Sequence, residues 1–454
     1  MRVRHMMFRT LLAGMLLPCA CMAGADDLIS LYRHAVEYDA DYRATAANTE
    51  ADREEINKAR AQFFPKAQFS ASRGRGETDR TTQTALGPLD THLNYSTRNY
   101  ALSIRQPLFN KEVAAGYQSA QAYVSEQESL LLEARGKLML KVTEAYLQTV
   151  YTRERIALLE ARIEATGRQL AQAKKRYDGG VGTVVEVSEA QTNLEVSVAE
   201  LARARAELEG YTMTLRNMTG RSTDDGVWLA PERLSGAIVK EESPELWLQS
   251  ADATNPEMAA ARYAVEVARQ EVERKRAGHY PSVDLVGVRS YSENDSNNTL
   301  GSSFDSTTVA VQLNMPLYAG GLVSANVRQA HARLSAAQES LESKSREIAS
   351  QVREHFNGIR SQSLAVNAYQ QAVRAAEIAR DGTEKAFLAG MKTNADVLDA
   401  QQRFFASRLE LSHARYQLVS HLISLQHLSG LLNEEALTKV SQLFVNPSNS
   451  HQSP

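Results

Sequence analysis

The chain has 454 residues, with 51 Lys and Arg against 54 Asp and Glu, so its formal net charge of −3 removes the broad basic face of a nucleic-acid binder. A mean hydropathy of −0.38 excludes a bundle of membrane helices. Only 11 prolines and 24 glycines interrupt long stretches of Ala, Glu, Arg, Leu and Gln, which favours long helices over a many-looped enzyme.

Residues 1–25 place Arg2, Arg4 and Arg9 before an apolar run, Leu11 to Leu17, and then small residues up to Ala25. That order is a cleavable secretory signal, and the run is well short of the ~20 residues a membrane anchor needs. Both cysteines, Cys19 and Cys21, fall inside it, so the mature chain has no thiol. Lipidation at Cys21 is disfavoured by Pro18, which stands where a lipoprotein signal carries Leu.

The rest is a tandem duplication. A shift of 216 places Asp39 on Asn255, Arg60 on Arg276, Phe64 on Tyr280 and Pro65 on Pro281. A shift of 209 lays Gln106-Pro107-Leu108-Phe109 on Met315-Pro316-Leu317-Tyr318, and a shift of 210 then pairs Glu144 with Glu354, Gly180 with Gly390 and Thr183 with Thr393. The first repeat runs over 26–220, a connector over 221–244, the second repeat over 245–430 and a C-terminal segment over 431–454.

In chain order, each repeat opens with a helix, 28–63 and 245–279, stopped at Pro65 and Pro281 because proline disfavours helical geometry in the residue before it. Alternating stretches follow. Tyr100, Leu102 and Ile104 stand against Ala101, Ser103 and Arg105; Val283 and Leu285 against Asp284 and Val286; Val309, Val311 and Leu313 against Ala310, Gln312 and Asn314. These are strands with one apolar face. Residues 67–76 are less regular, and the polar stretches 77–92 and 292–303 read as exposed loops.

After the second elbows, Pro107 and Pro316, proline-free helices run over about 111–177 and 322–387, each on the order of 100 Å long. In the first, Val142, Thr149, Ile156, Ile163, Leu170 and Tyr177 recur every seven residues, interleaved with Leu138, Ala145, Thr152, Leu159, Thr166 and Ala173. A second seam of Leu147, Val150, Ala157, Ala161 and Ala171, broken by Glu154, Glu164 and Arg168, calls for a neighbour on the other side. Four half-apolar strands cannot close a membrane barrel, and open edges cannot be satisfied in hydrocarbon, so the barrel must be shared between chains.

The duplication, the two Pro-Leu-aromatic elbows, the Tyr318-Ala319-Gly320-Gly321 turn and the stretch from Gly390 to Ala400 together resemble the TolC family of outer-membrane channel-tunnel proteins, over nearly the whole mature length. The resemblance implies an α+β membrane protein: a homotrimeric outer-membrane β-barrel, four strands per chain, continued by a long periplasmic α-helical barrel. It implies an exit duct for type I secretion or drug efflux, opened by an inner-membrane pump through a periplasmic adaptor, with no cofactor. The connector and the C-terminal segment would form an equatorial belt and a flexible tail. By the same resemblance, Phe387 and Lys392 face Glu186 in a latch at the periplasmic mouth, and Asp396 and Asp399 form the pore constriction as rings of carboxylates.

Other readings of these residues stay open in the sequence. Asp396 and Asp399 are also placed to cap a helix and offset its dipole, and Glu186 and Glu189 repeat their spacing in the first half. Gly179-Gly180-Val181-Gly182 lacks the Lys-Ser/Thr of a phosphate loop and fits a turn between helices. His413, His421 and His427 lack the spacing of a metal site. Lys174-Lys175-Arg176 and Arg274-Lys275-Arg276 read as solvated faces, and a periplasmic adaptor with a long hairpin is the alternative to the duct.

Overall fold

The computed structural model describes residues 28–221, 228–229, 243–296 and 299–445. The expected signal segment with Cys19 and Cys21, most of the expected connector and the last residues of the C-terminal segment lie outside the described residues.

Each repeat opens with two helices rather than one. Helices α1 (Leu28–Tyr38) and α2 (Ala40–Ala61) are separated by Asp39, and α5 (Pro244–Thr254) and α6 (Pro256–Arg276) by Asn255. The expected continuous helices 28–63 and 245–279 are thus each broken at the residue pair on which the repeat alignment begins. Asp39 accepts the backbone N–H of Tyr42 at 2.8 Å, and Asn255 that of Met258 at 2.9 Å. A short acceptor side chain that satisfies an orphan donor of the next helix starts a new helix there.

Strands β1 (Lys66–Thr84) and β2 (Gly87–Phe109) form one hairpin, β4 (Ser282–Ser296) and β5 (Thr299–Asn314) the other. They assemble in the order β1-β2-β4-β5, all antiparallel, with β2 and β4 joining the repeats. The stretches expected as loops, 77–92 and 292–303, are largely strand: β1 and β2 pair without interruption to Thr84 and Gly87, turning through Ala85-Leu86. Their polarity marks water on both faces, not irregular backbone, and the many threonines hold an extended chain. Pro107 does not end β2; the strand passes through it with a bulge between Pro107 and Phe109.

The long helices are α3 (Lys111–Asp178) and α7 (Leu322–Leu388), which return as α4 (Val184–Thr219) and α8 (Asn394–Leu428). In the half nearer the strands, α3 packs against α2 and α6, and α6 against α7; in the other half α3 packs against α4 and α8, and α8 against α7. Both seams of α3 are therefore used. Leu138, Val142, Thr149, Thr152 and Leu159 of the first are buried, as are Leu147 and Val150 of the second, while Glu154 accepts a hydrogen bond from Ser412 of α8 at 2.7 Å. Midway along the helices, α1, α9 (Glu434–Ser441) and the short pair β3 (Trp228–Leu229) and β6 (Phe444–Val445) wrap the wall. Their core joins Leu28, Leu31, Tyr32, Val142, Tyr146, Ile423, Leu437 and Phe444.

Candidate functional site

One sheet face carries Phe69, Tyr100, Leu102, Ile104, Leu285, Tyr291, Val309, Val311 and Leu313, all exposed in the single chain. The register puts them in rows: Phe69 opposite Leu102, Leu285 opposite Val311, Val283 opposite Leu313. From Val283 to Tyr291 the band, crossed near its outer end by the ion pair of Arg289 with Asp305 at 2.9 Å, covers about 27 Å of strand, or roughly 20 Å of thickness at a ~40° tilt, close to the ~25 Å apolar belt of outer-membrane barrels. Tyr100 and Tyr291 stack at 6.3 Å between ring centres and close the band on the side away from the helices. The other face is polar, with Gln68, Ser70, Ser103, Gln312 and an ion pair of Arg105 with Asp284 at 2.5 Å. Among the described residues no helix is long and apolar enough to cross a membrane.

The four elbows lock strands to helices. Pro65 follows Phe63 and Phe64 in the turn between α2 and β1, and the Gln106 side-chain amide donates to the Phe63 carbonyl at 2.8 Å, tying this elbow to that of Pro107. Pro281 follows Tyr280, whose ring lies 3.8 Å under the Lys111 ammonium of the first repeat. Beyond Pro316, Gly320 and Gly321 take φ of +61° and +83°, a left-handed pair that turns the chain into α7.

At the far end of the helices the two hairpin turns repeat each other. Gly180 and Gly390 have φ of +76° and +75°, and each turn ends in a threonine-capped helix. In α4 Thr183 and Glu186 form a reciprocal capping box, each backbone N–H donating to the other's side chain at 3.2 Å. In α8 Thr393 and Asp396 do the same: an Asp396 oxygen accepts the Thr393 N–H at 2.9 Å, and the Thr393 hydroxyl accepts the Asp396 N–H at 3.2 Å. That backbone donor, with the Thr393 hydroxyl and Lys392, holds the Asp396 carboxyl below its ordinary pKa.

The expected site residues occupy these tips. The Lys392 ammonium lies 3.3 Å from Asp396, so its carboxylate partner within the chain is Asp396. Asp399 pairs with Arg403 at 2.6 Å. Phe387 is buried, with the Arg176 guanidinium 5.0 Å over its ring. Arg176 is thereby corrected from a solvated charge to a half-buried contact between the two hairpin tips. The Arg274-Lys275-Arg276 run is paired within its own helix, to Glu271 and Glu273.

Sequence reasoning missed two contacts between the hairpins. The Gln169 amide of α3 donates to Asn394 of α8 at 2.5 Å in a buried site, and Leu170, Ala190 and Leu398 form a small apolar cluster beside it. A polar residue at the N1 position of a helix is an ordinary cap neighbour, and only the shift-by-210 alignment of Val184 with Asn394 marks the second hairpin as different.

With this geometry in place, comparison with known proteins is decisive. The model of the outer membrane efflux protein family matches residues 31–221 and 247–431, the two repeats in turn. The chain belongs to that family. Alkaline protease secretion protein AprF of Pseudomonas aeruginosa is 30% identical over 420 residues, which cover 92% of this chain and 87% of AprF. Proteases secretion protein PrtF of Dickeya chrysanthemi is 28% identical, with 93% and 92% covered, and outer membrane protein TolC of Escherichia coli 27%, with 94% and 86% covered. The solved structure of CusC superimposes with a TM-score of 0.77 at 17% identity, covering 90% of this chain and 92% of CusC. That of VceC from Vibrio cholerae gives 0.75 at 20% identity, covering 89% and 97%. This outer membrane efflux protein is a channel of the outer membrane with a large periplasmic part, and the adaptor reading is set aside.

Proposed function

We propose that three copies of the chain close into a twelve-stranded barrel in outer-membrane lipid and a twelve-helix tube in the periplasm, a passive exit duct that opens when an adaptor and an inner-membrane pump dock at the hairpin tips. One observation carries the reading. The single chain is an open wall in both layers: β1 and β5 each leave one edge unpaired among the described residues, and beneath them α4 and α7 pack on one side only. Buried residues on α7 fall at Ala330, Ile348, Val352, Ile359, Val366 and Phe387, one narrow seam, while Leu364, Ile378 and Leu388 are exposed. Rotation about a threefold axis would join β5 to the next chain's β1 and cover those side chains, which removes both liabilities.

At the periplasmic mouth, Phe387, Lys392 and Glu186 form the latch between hairpins, and Asp396 and Asp399 form the constriction. The capping box and the i, i+3 spacing put both aspartates on one face of the first turns of α8, and threefold symmetry would make rings of them that attract cations. Protein secretion stands ahead of small-molecule efflux as the cargo, because AprF and PrtF are named for protease secretion.

The test is single-channel recording from detergent-purified protein in a planar bilayer. Small, long-lived, cation-selective steps blocked by polyvalent cations are expected, with selectivity lost in the Asp396→Ala, Asp399→Ala double variant. No current from a folded preparation would overturn the duct, and unchanged selectivity in the double variant would overturn the constriction.

A further inference from the structure

Beyond the stacked Tyr100 and Tyr291, on the same outward face, the register brings three arginines together, whereas the arginine inside the band, Arg289 opposite Leu102, is paired with Asp305 at 2.9 Å. The register places Arg73 directly opposite Arg98, one row past the pair of Ala71 and Tyr100, and Arg75 follows Arg73 on the same face. Directly opposed side chains of an antiparallel pair have Cβ atoms about 5 Å apart, and like charges there repel. Arg75 lies about 7 Å further along the strand. Arg98 meets Glu293 of β4 at 3.3 Å, so three guanidiniums face one carboxylate and the cluster keeps two positive charges. Of the neighbouring acids, Asp305 is engaged with Arg289 at 2.9 Å, and Glu77 and Asp79 share the single His92 imidazole further up the hairpin, so they offset at least one of the two charges and the patch stays net positive only by the remainder.

An opposed arginine pair gains when an anion sits between the forks, because each planar guanidinium can hold two phosphate oxygens. The position fixes which anion. Aromatic girdles lie at the headgroup level of the bilayer, so the side chains one row outward from Tyr100 reach the headgroup phosphates of the outer leaflet. We propose that Arg73, Arg75 and Arg98 form a binding site for the phosphorylated headgroup of an outer-leaflet lipid. The site rests on the duct reading only for the orientation of the band. Nothing in the conducting path takes part, so lipid binding and conduction separate.

The probe is fluorescent diphosphoryl lipid A, titrated onto the detergent-solubilised protein, with phosphatidylcholine and inorganic phosphate as competitors and channel current as the control. Arg73→Gln with Arg75→Gln is expected to weaken binding about tenfold while leaving single-channel current unchanged; Arg73→Lys with Arg75→Lys, which keeps the charge but not the fork, should fall between. Binding in wild type is expected to weaken as salt rises and to resist phosphatidylcholine. Equal affinity in the wild type and the Gln variant, with both conducting, would overturn the proposal and leave the duct standing. Full displacement by inorganic phosphate at the concentration of the lipid would also overturn it, as a site for a free anion. A wild type that carries no current would overturn the duct and the orientation of the belt with it.

Discussion

Arg403→Gln should make the channel more cation-selective, a direction that follows from the pairing at the hairpin tip. Asp399 is bonded to Arg403 at 2.6 Å and Asp396 to Lys392 at 3.3 Å, so each carboxylate of the proposed constriction carries its own compensating cation one turn away. Both members of the Asp399 pair are largely exposed, so losing it costs well under ~1 kcal/mol of stability and the fold survives the test. In the proposed trimer, removing the guanidinium would leave three uncompensated carboxylates around the threefold axis. A cation passing about 6 Å from each gains about 0.7 kcal/mol per charge in water, or about 2 kcal/mol in all. Screening at physiological salt, with a Debye length of ~8 Å, roughly halves this to about 1 kcal/mol, a cation enrichment of about fivefold. The assay is the reversal potential across a tenfold KCl gradient, where Arg403→Gln should move towards the potassium potential and Asp399→Asn away from it. A reversal potential unmoved by either change would refute the assignment of Asp399 to the conducting path.

Three further outcomes are expected. Lys392→Ser should raise antibiotic leakage across the outer membrane, read as a several-fold fall in the inhibitory concentration of a large antibiotic; unchanged sensitivity would remove Lys392 from the latch. Asn255→Ala should destabilise the equatorial region by about 2 kcal/mol, because it loses the cap of Met258 and orphans the buried Leu428 carbonyl bonded at 2.8 Å; a melting temperature equal to wild type would contradict this. Stability should also fall on acidification. Burial, with the facing His421, holds the His355 pKa below its ordinary 6.5, burial does the same for His421, and Glu354 offsets each in part. The two Nδ1 atoms lie 3.1 Å apart, so the rings cannot both be protonated in place. The folded state thus binds fewer protons than the unfolded one; its stability is complete above about pH 6.5 and declines as pH falls through the folded values. Thermal melts between pH 7.5 and 5 should show the decline, and His355→Gln should flatten it.

Much of the architecture could be read from the chain because it depends on period and punctuation. Heptads from Leu138 to Ala173 mark the wall helix, whose expected span 111–177 agrees with the observed one to within a residue, and Pro65, Pro281 and Pro316 mark passages between helix and strand, while Pro107 lies just inside the end of β2. The errors have physical causes. Asp39 breaks its helix through one side-chain hydrogen bond, and Asn255 breaks the other through the same kind of cap together with Pro256 after it, a proline inside the expected helix 245–279. Residues 77–92 form strand without alternation because the ribbon beyond the tyrosines has no apolar side to bury, so the usual period-two signal is missing. His355 and His421 are 66 positions apart and meet only because Gly358, whose added Cβ would lie 2.7 Å from the His421 ring, lets α7 and α8 approach.

The hairpin tips show most clearly how far a repeat can inform a site. Duplication reproduces the backbone: the left-handed Gly180 and Gly390, and the capping boxes of Thr183 with Glu186 and Thr393 with Asp396, are superposable devices. The charges around them are not reproduced. Where the second tip has Lys392 and Arg403, the first has Gly182 and Asn193, so Glu186 and Glu189 have no base four residues away on their own helix. In a closed trimer the two kinds of tip would alternate around the axis, one with compensated acids and one without. In the proposed latch a cationic partner for Glu186 would come from a neighbouring hairpin, and Lys392, tied to Asp396 only by an exposed contact at 3.3 Å, is the cation that would change partners at least cost. A double-mutant cycle between Glu186→Gln and Lys392→Ser, read as antibiotic leakage, should therefore be non-additive, and strictly additive effects would place the latch elsewhere.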